Sequence, residues 1–169
     1  MQRKAQAQVI STILLILLAV TVAGIIMAFV IPFVRNQLSS SDCFDVADKL
    51  EITNNQQYTC YNNTDSNPTN RRMLVQVHLK DTDQIKGFTI ELGGASTTTH
   101  NIKDGPAPTG VTMYDGSSIL NIPSQNQERT YKIESTTKPQ LIRIYPIIEG
   151  DKTCGESSSI TTVNDCFII

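Results

Sequence analysis

The sequence contains no tryptophan, only two histidines and no excess of basic residues. Its 14 Lys and Arg residues against 16 Asp and Glu residues give a formal net charge of −2. A nucleic-acid groove needs a concentrated basic surface, usually interleaved with aromatic side chains for stacking. The composition therefore excludes nucleic acid as the main partner. The length of 169 residues fits one domain with an appendage.

Carboxylates are absent from residues 1–38, which contain only the charged residues Arg3, Lys4 and Arg35. The remaining 131 residues then hold 11 Lys and Arg against 16 Asp and Glu, a net charge of −5, and are rich in Ser, Thr, Asn and Gln. This asymmetry predicts that the two parts of the chain lie in different environments.

Residues 9–34 form a run of 26 positions without a charge. A helix needs about 20 apolar residues to cross the hydrocarbon layer of a membrane. The run has no polar face, which argues against an amphipathic core helix. It is also longer than the apolar region of a conventional secretory signal peptide. The sequence therefore predicts a membrane-spanning helix.

The charges that flank this helix predict its orientation. Arg3 and Lys4 precede it, whereas Asp42, Asp45 and Asp48 follow it. Because basic flanks stay in the cytoplasm, the N-terminus is expected inside and residues 39–169 outside. An oxidising exterior also suits the four cysteines, none of which lies in a CxxC pair.

Those cysteines are Cys43, Cys60, Cys154 and Cys166, which allow three pairings. The short spacings favour local closure, Cys43 with Cys60 and Cys154 with Cys166, each contributing about 3 kcal/mol by restricting the unfolded chain. A pairing of the beginning of the outer segment with its end remains open.

Apolar residues in the outer segment recur with a period of two, which is typical of half-buried strands. Met73, Val75, Val77 and Leu79 form one such series, and Phe88, Ile90 and Leu92 form a second that is expected to be its antiparallel neighbour. Further strands are predicted at residues 46–52, 111–114, 118–122, 129–134, 141–148 and 166–169. Residues 95–110, with their Thr, Pro and Gly, are expected to form a long surface loop.

Short strands at this spacing, with no second helical pattern, suggest a β-sandwich. The predicted fold class is therefore α+β: a long apolar N-terminal helix followed by an all-β, immunoglobulin-like sandwich.

Motifs for catalysis are missing from the sequence, which has no GxSxG, no phosphate-binding Gly loop and no HExxH. His78, on the polar side of its strand, and His100, in the Thr-rich loop, have no sequence-local nucleophile and are interpreted as solvated surface residues. The pair Asp81 and Asp83 before Gly87 lacks the ligands of a calcium loop and is interpreted as a hairpin turn. No enzyme activity, metal site or cofactor is expected.

One glycosylation sequon occurs, Asn62-Asn63-Thr64, in the polar segment after Cys60. An exterior location makes Asn62 a candidate glycosylation site.

A short basic leader, Arg3-Lys4-Ala5-Gln6, directly precedes the apolar helix. This resembles the class III signal peptide of type IV pilins, particularly archaeal pilins and archaellins, over about the first 35 residues. The resemblance implies that a prepilin-type peptidase cuts between Ala5 and Gln6 on the cytoplasmic side of the membrane. Bacterial type IV pilins carry Glu at the fifth mature position, where this chain has Ile10, so the archaeal branch fits better.

The resemblance implies three parts: a leader, residues 1–5; a helix, residues 6–38, that anchors the precursor and then forms the filament core; and an extracellular head, residues 39–169. The implied function is that of a pilin, the structural subunit of a type IV pilus-like filament for surface adhesion or motility. The implied partners are copies of the same chain, the peptidase, the assembly machinery and, before assembly, the membrane. The alternative is an uncleaved, single-pass membrane-anchored binding module or minor pilin.

The composition of the helix suits packing against copies of itself. Small residues spaced one turn apart would let helices approach closely, while branched apolar residues fill the remaining volume. The predicted packing residues are Leu14, Leu17, Leu18, Ala19, Ala23, Gly24, Ile25 and Ala28. Pro32 is the predicted hinge between this helix and the head.

Overall fold

The computed structural model describes residues 2–64, 71–80 and 83–167; in the N-terminal helix it describes the side chains of residues 13–31 and 42–44. The chain divides into two compact units, Met1–Asp42 and Cys43–Ile169. Helix α1 spans Gln2–Phe44, so it passes through Pro32 and extends beyond residue 38. Its uncharged run of Leu, Ile, Val and Ala has one proline and one glycine, and neither ends the helix.

The second unit is built from short strands. They are β1 (Leu50–Ile52), β2 (Cys60–Asn62), β3 (Arg72–Leu79), β4 (Ile85–Gly93), β5 (Thr98–Lys103), β6 (Gly105–Pro106), β7 (Val111–Met113), β8 (Ile119–Leu120), β9 (Gln127–Glu134), β10 (Leu141–Ile148), β11 (Lys152–Thr153) and β12 (Ser158–Ile160).

These strands form two antiparallel five-stranded sheets and a small β6–β8 pair. In the first sheet, β3 lies between β9 and an edge made of β1 and β2, and β7 pairs with β9. In the second sheet, β10 lies between β4 and an edge made of β11 and β12, and β5 pairs with β4. An apolar helix followed by antiparallel sheets confirms the predicted α+β architecture. It is compatible with an immunoglobulin-like sandwich, and that finer assignment stays a prediction.

One hydrophobic core contains side chains from both sheets. Val75 and Tyr131 come from the first sheet, Phe88 and Ile144 from the second, and all four are fully buried. The rings of Phe88 and Tyr131 meet edge to face at 5.5 Å, a contact worth about 1 kcal/mol beyond burial. The Tyr131 hydroxyl donates to the Asn121 carbonyl at 2.8 Å, which satisfies its polar atom.

The two alternating series lie in β3 and β4 as predicted, but the expectation that they are neighbours is wrong. β3 belongs to the first sheet, β4 to the second, and the five-residue connection between them passes from one sheet to the other. The hairpin interpretation of Asp83 and Gly87 fails for the same reason, and Asp81 lies outside the described residues. Gly87 belongs to β4, where a side chain would lie 2.7 Å from the Ile102 carbonyl oxygen.

The half-buried interpretation of β3 also needs correction, because Leu74 and Gln76 on its outer face are buried. Residues 53–59 connect β1 to β2 along the same edge of the sheet. They form hydrogen bonds with the backbone of β3 that neither strand pairs with. Thr53 N donates to the Gln76 carbonyl at 3.0 Å, and Gln76 N donates to Thr59 Oγ1 at 3.1 Å.

The predicted loop at residues 95–110 instead contains β5 and β6. Its β-branched Thr98, Thr99 and Ile102 pair with β4, and this tertiary pairing outweighs the flanking Gly and Pro. The strand predicted at residues 46–52 is shorter in the structure, where β1 begins only at Leu50. A turn precedes it, in which Lys49 N donates to the Val46 carbonyl. Near the C-terminus a parallel bridge joins Asp165 to Tyr61, and residues 168–169 lie outside the description.

The disulfides join Cys43 to Cys154 and Cys60 to Cys166, so the local pairing predicted from the spacing is wrong. The physical reason is the path of the C-terminal segment along β2. Tyr61 N donates to the Asn164 carbonyl and Cys166 N donates to the Tyr61 carbonyl, which places Cys166 beside Cys60. The outer segment is thus closed from its beginning to its end.

Candidate functional site

The first candidate surface is the segment Ile13–Ile31 of α1, which is long and apolar enough to cross a membrane. None of it is buried by the described parts of the chain, and its large apolar side chains are 46% to 72% exposed. Such a continuous apolar surface is unfavourable in water, so its stable environment is lipid or other apolar helices.

The small residues of this segment lie on two sides of the helix. Ala19 and Ala23 form one pair, and Gly24 and Ala28 form the other. With 3.6 residues per turn, Gly24 lies about 140° further round the axis than Ala19. A Cβ added at Gly24 would meet nothing within 4 Å in the described chain, apart from the backbone of its own helix. The position is therefore open to contact with another molecule.

The predicted volume-filling residues Leu14, Leu17, Leu18 and Ile25 are all exposed. The hydroxyl of Thr21 donates to the Leu18 carbonyl at 2.9 Å. This polar group is therefore satisfied within the helix and needs no external partner in an apolar environment.

The predicted leader residues Arg3, Lys4, Ala5 and Gln6 lie on α1, and their side chains lie outside the description. The cut after Ala5 stays a prediction. The same holds for a hinge at Pro32, whose backbone is helical and which has no N–H to donate to the Ala28 carbonyl.

A second candidate surface is a groove of about 650 Å³ on the outer face of the first sheet. Its lining combines amide side chains with two exposed aromatic rings: Asn55, Gln56, Gln57, Asn62, Tyr114 and Phe167. Leu74, Thr64 and Cys166 complete the described lining, none of which carries a charge. We call this surface the amide groove.

The walls of the amide groove are held in place by local bonds. Asn55 Oδ1 accepts from Gln57 N at 3.0 Å, and the Asn55 carbonyl accepts from the N–H groups of Tyr58 and Thr59. The Tyr58 ring meets the Tyr114 ring edge to face at 5.7 Å. Lys132 Nζ lies 4.9 Å from the centre of the Tyr114 ring. Tyr114 is thus fixed by two neighbours before any ligand arrives.

The two histidines lie in different sheets, His78 on β3 and His100 on β5. Within the described residues, no group of three His, Cys, Asp or Glu side chains is placed to hold a metal ion. His100 is not the loop residue that the sequence predicted. It pairs with the buried Ile90 on the neighbouring strand, and its Nε2 is buried without a hydrogen-bond partner in the structure described.

Burial lowers the pKa of His100 below its ordinary value of 6.5. The folded state then binds fewer protons than the unfolded state once the pH falls below about 6.5, so acidification destabilises the fold. We expect the melting temperature to fall between pH 7.5 and pH 5.5. The His100→Gln variant should show a smaller fall over this interval, measured by circular dichroism. His78→Gln is the matched control, and an equal reduction in both variants would contradict the assignment to His100.

Comparisons with family models, curated proteins and solved structures give no significant match to this chain. The structure itself defines the class: an α+β protein with an N-terminal helix apolar enough to cross a membrane and a β-rich head. Two disulfides in the head are typical of an extracellular environment.

The amide groove is the feature that the sequence analysis missed. Its residues come from four segments, at positions 55–64, 74, 114 and 166–167, so no local motif marks it. The amide cluster at residues 54–57 was the available signal, and it carries no information on which aromatic residues lie nearby.

Proposed function

We propose that the chain is a pilin, the structural subunit of an extracellular type IV pilus-like filament for surface adhesion or motility. The observation that carries this proposal is the uncharged segment Ile13–Ile31, of which the described chain buries nothing. Lipid covers this surface in the precursor, and copies of the same helix cover it in the filament.

The distribution of small residues supports packing on more than one side. A helix inside a filament core is surrounded by neighbours, whereas a single anchor has lipid on all sides. The pairs Ala19 with Ala23 and Gly24 with Ala28 allow close approach at two positions about 140° apart. Leu17 and Ile25 supply apolar volume elsewhere on the same segment.

The head supports an exterior location because it contains two disulfides. Both disulfides span most of the head, with sequence separations of 111 and 106 residues. Such bonds form and persist in oxidising environments and are rare in cytosolic proteins. The precursor therefore inserts with its N-terminus inside, is trimmed between Ala5 and Gln6, and presents residues 39–169 outside, where Asn62 is open to glycosylation.

A second candidate function is an uncleaved, membrane-anchored binding module or minor pilin. The internal hydrogen bond of Thr21 favours it, because the hydroxyl of this residue stays satisfied when the helix remains in lipid. The two functions differ in the first residue of the surface protein. Intact-mass analysis should give Gln6 for the filament subunit and Met1 for the anchored module.

Reversal of the leader charge tests the same step by mutation. In the Arg3→Glu/Lys4→Glu variant, most of the protein should keep its leader, because both orientation and processing depend on basic residues before the helix. The measurement is the intact mass of the protein isolated from the membrane fraction and from the surface fraction. Arg35→Glu, on the other side of the apolar run, is the matched control and should be processed normally. Loss of five residues in the double variant at the wild-type level would contradict this prediction.

A further inference from the structure

The amide groove has the chemistry of a saccharide site. Its volume of about 650 Å³ lies in the range of small-molecule sites. A sugar ring offers many hydroxyl groups and an apolar face of C–H groups. The uncharged amides of Asn55, Gln56 and Gln57 both donate and accept hydrogen bonds, which suits neutral hydroxyl groups rather than ions.

Two aromatic rings supply the apolar part of this site. Phe167 is 71% exposed and Tyr114 is 47% exposed. Large aromatic side chains left this open beside polar groups are typical of a binding surface. Because Tyr58 and Lys132 already hold the Tyr114 ring, a ligand that stacks on it pays little ordering cost.

The acceptor of the glycosylation sequon lies in the same groove. Asn62 Oδ1 accepts hydrogen bonds from Thr64 Oγ1 at 2.7 Å and from Thr64 N at 3.1 Å. These bonds engage the amide oxygen, Oδ1. The amide nitrogen, Nδ2, is the atom to which an N-linked glycan is attached. Asn62 is exposed and lines the groove.

We propose that the amide groove is occupied by the first sugars of a neutral glycan linked to Asn62, stacked on Tyr114 and Phe167. The inference rests on the exterior location in the proposed function. The link forms between Asn62 Nδ2 and C1 of a sugar supplied by a phosphate-activated donor. The bond from C1 to the donor's phosphate oxygen breaks, the phosphate leaves with the electron pair, and Nδ2 loses one proton.

Attachment at Asn62 raises the fraction of time for which the sugars occupy the amide groove. A tethered glycan is present at a high effective concentration, so weak stacking is enough to keep it in the groove. The docked glycan covers the apolar rings of Tyr114 and Phe167, which otherwise face water.

The modification is tested on the full chain isolated from the cells that produce it. Mass spectrometry of the peptide containing residues 62–64 should show added hexose-type mass. Thr64→Ser keeps the sequon hydroxyl and should keep this mass, whereas Thr64→Val should lose it. An unmodified Asn62 in the surface protein overturns the inference, even if free saccharides bind the groove. The filament proposal is judged separately, from the N-terminal residue and from electron microscopy.

The docking is tested with periodate, which cleaves the vicinal diols of a sugar ring where two adjacent hydroxyl groups are unsubstituted and exposed to solvent. In the folded wild type, the sugar nearest Asn62 should be oxidised about tenfold more slowly than in Tyr114→Ala/Phe167→Ala, a ratio equivalent to about 1.4 kcal/mol. Phe167→Ala alone should give an intermediate rate. Ile119→Ala, exposed on β8 and outside the groove, is the control and should match the wild type. Equal rates in the wild type and the double variant overturn the docking.

Discussion

A Gly24→Leu variant is expected to insert into the membrane and to be trimmed normally, yet to yield no filaments. In the isolated chain a Cβ added at Gly24 has nothing within 4 Å apart from the backbone of its own helix, so the position is open on the subunit itself. In a filament, however, every subunit would repeat the same overlap with its neighbour. Overpacking of this kind costs about 1–3 kcal/mol per site, which accumulates along the polymer.

The measurement is electron microscopy of sheared surface material, with immunoblots of membranes to control for expression. Val22→Leu is the matched control, since it adds an apolar carbon to the same helix at a position outside the small-residue pairs. It should assemble like the wild type. Abundant filaments from Gly24→Leu would remove Gly24 from the packing face. A wild type that also gives none would favour the anchored module.

Much of the fold could be predicted from local pattern. The charge-free run gave α1, because length and composition alone determine whether a helix can span a membrane. The alternating series at Met73 and Phe88 predicted β3 and β4, because apolar side chains that recur with a period of two share one face of a strand.

The assignment of strands to sheets could not be predicted in the same way. The connection between β3 and β4 is short and polar, as in a hairpin, but it crosses between sheets. Nothing in its residues distinguishes the two cases, since the choice depends on which strands cover the core side chains of β9 and β10. β5 was missed because Ile102 is its only apolar residue, so no alternating pattern marks it, and pairing with β4 makes it a strand.

For the candidate site, the sequence predicted the apolar helix and Asn62 but not their surroundings. The neighbours of Asn62, such as Tyr114 and Phe167, come from chain segments about 50 and 100 residues away, and only the sheet brings them to one face. Which side of α1 meets another helix also remains a prediction, because Gly24 and Ala19 lie on different sides.

Replacement of Cys60 by Ala is expected to lower the free energy of unfolding by about 3–4 kcal/mol, because the bond it removes closes a loop in the unfolded chain. Cys60 and Cys166 are 106 residues apart in sequence. Because the bond between Cys43 and Cys154 stays intact, the shorter path from Cys60 through that bond to Cys166 has about 30 residues, and a loop of this length sets the magnitude. The measurement is denaturant unfolding of the full chain in detergent, followed by the head signal in circular dichroism.

Thiol labelling identifies the partner that the variant leaves behind. In Cys60→Ala, the free thiol should map to Cys166, and the bond between Cys43 and Cys154 should remain intact. Cys154→Ala is the matched control and should free Cys43 instead. A free thiol at Cys43 in Cys60→Ala would show local pairing and contradict the arrangement. The observed path of residues 164–166 along β2 argues against that result, because the backbone bonds between Tyr61 and Cys166 hold the Cys60 and Cys166 side chains together.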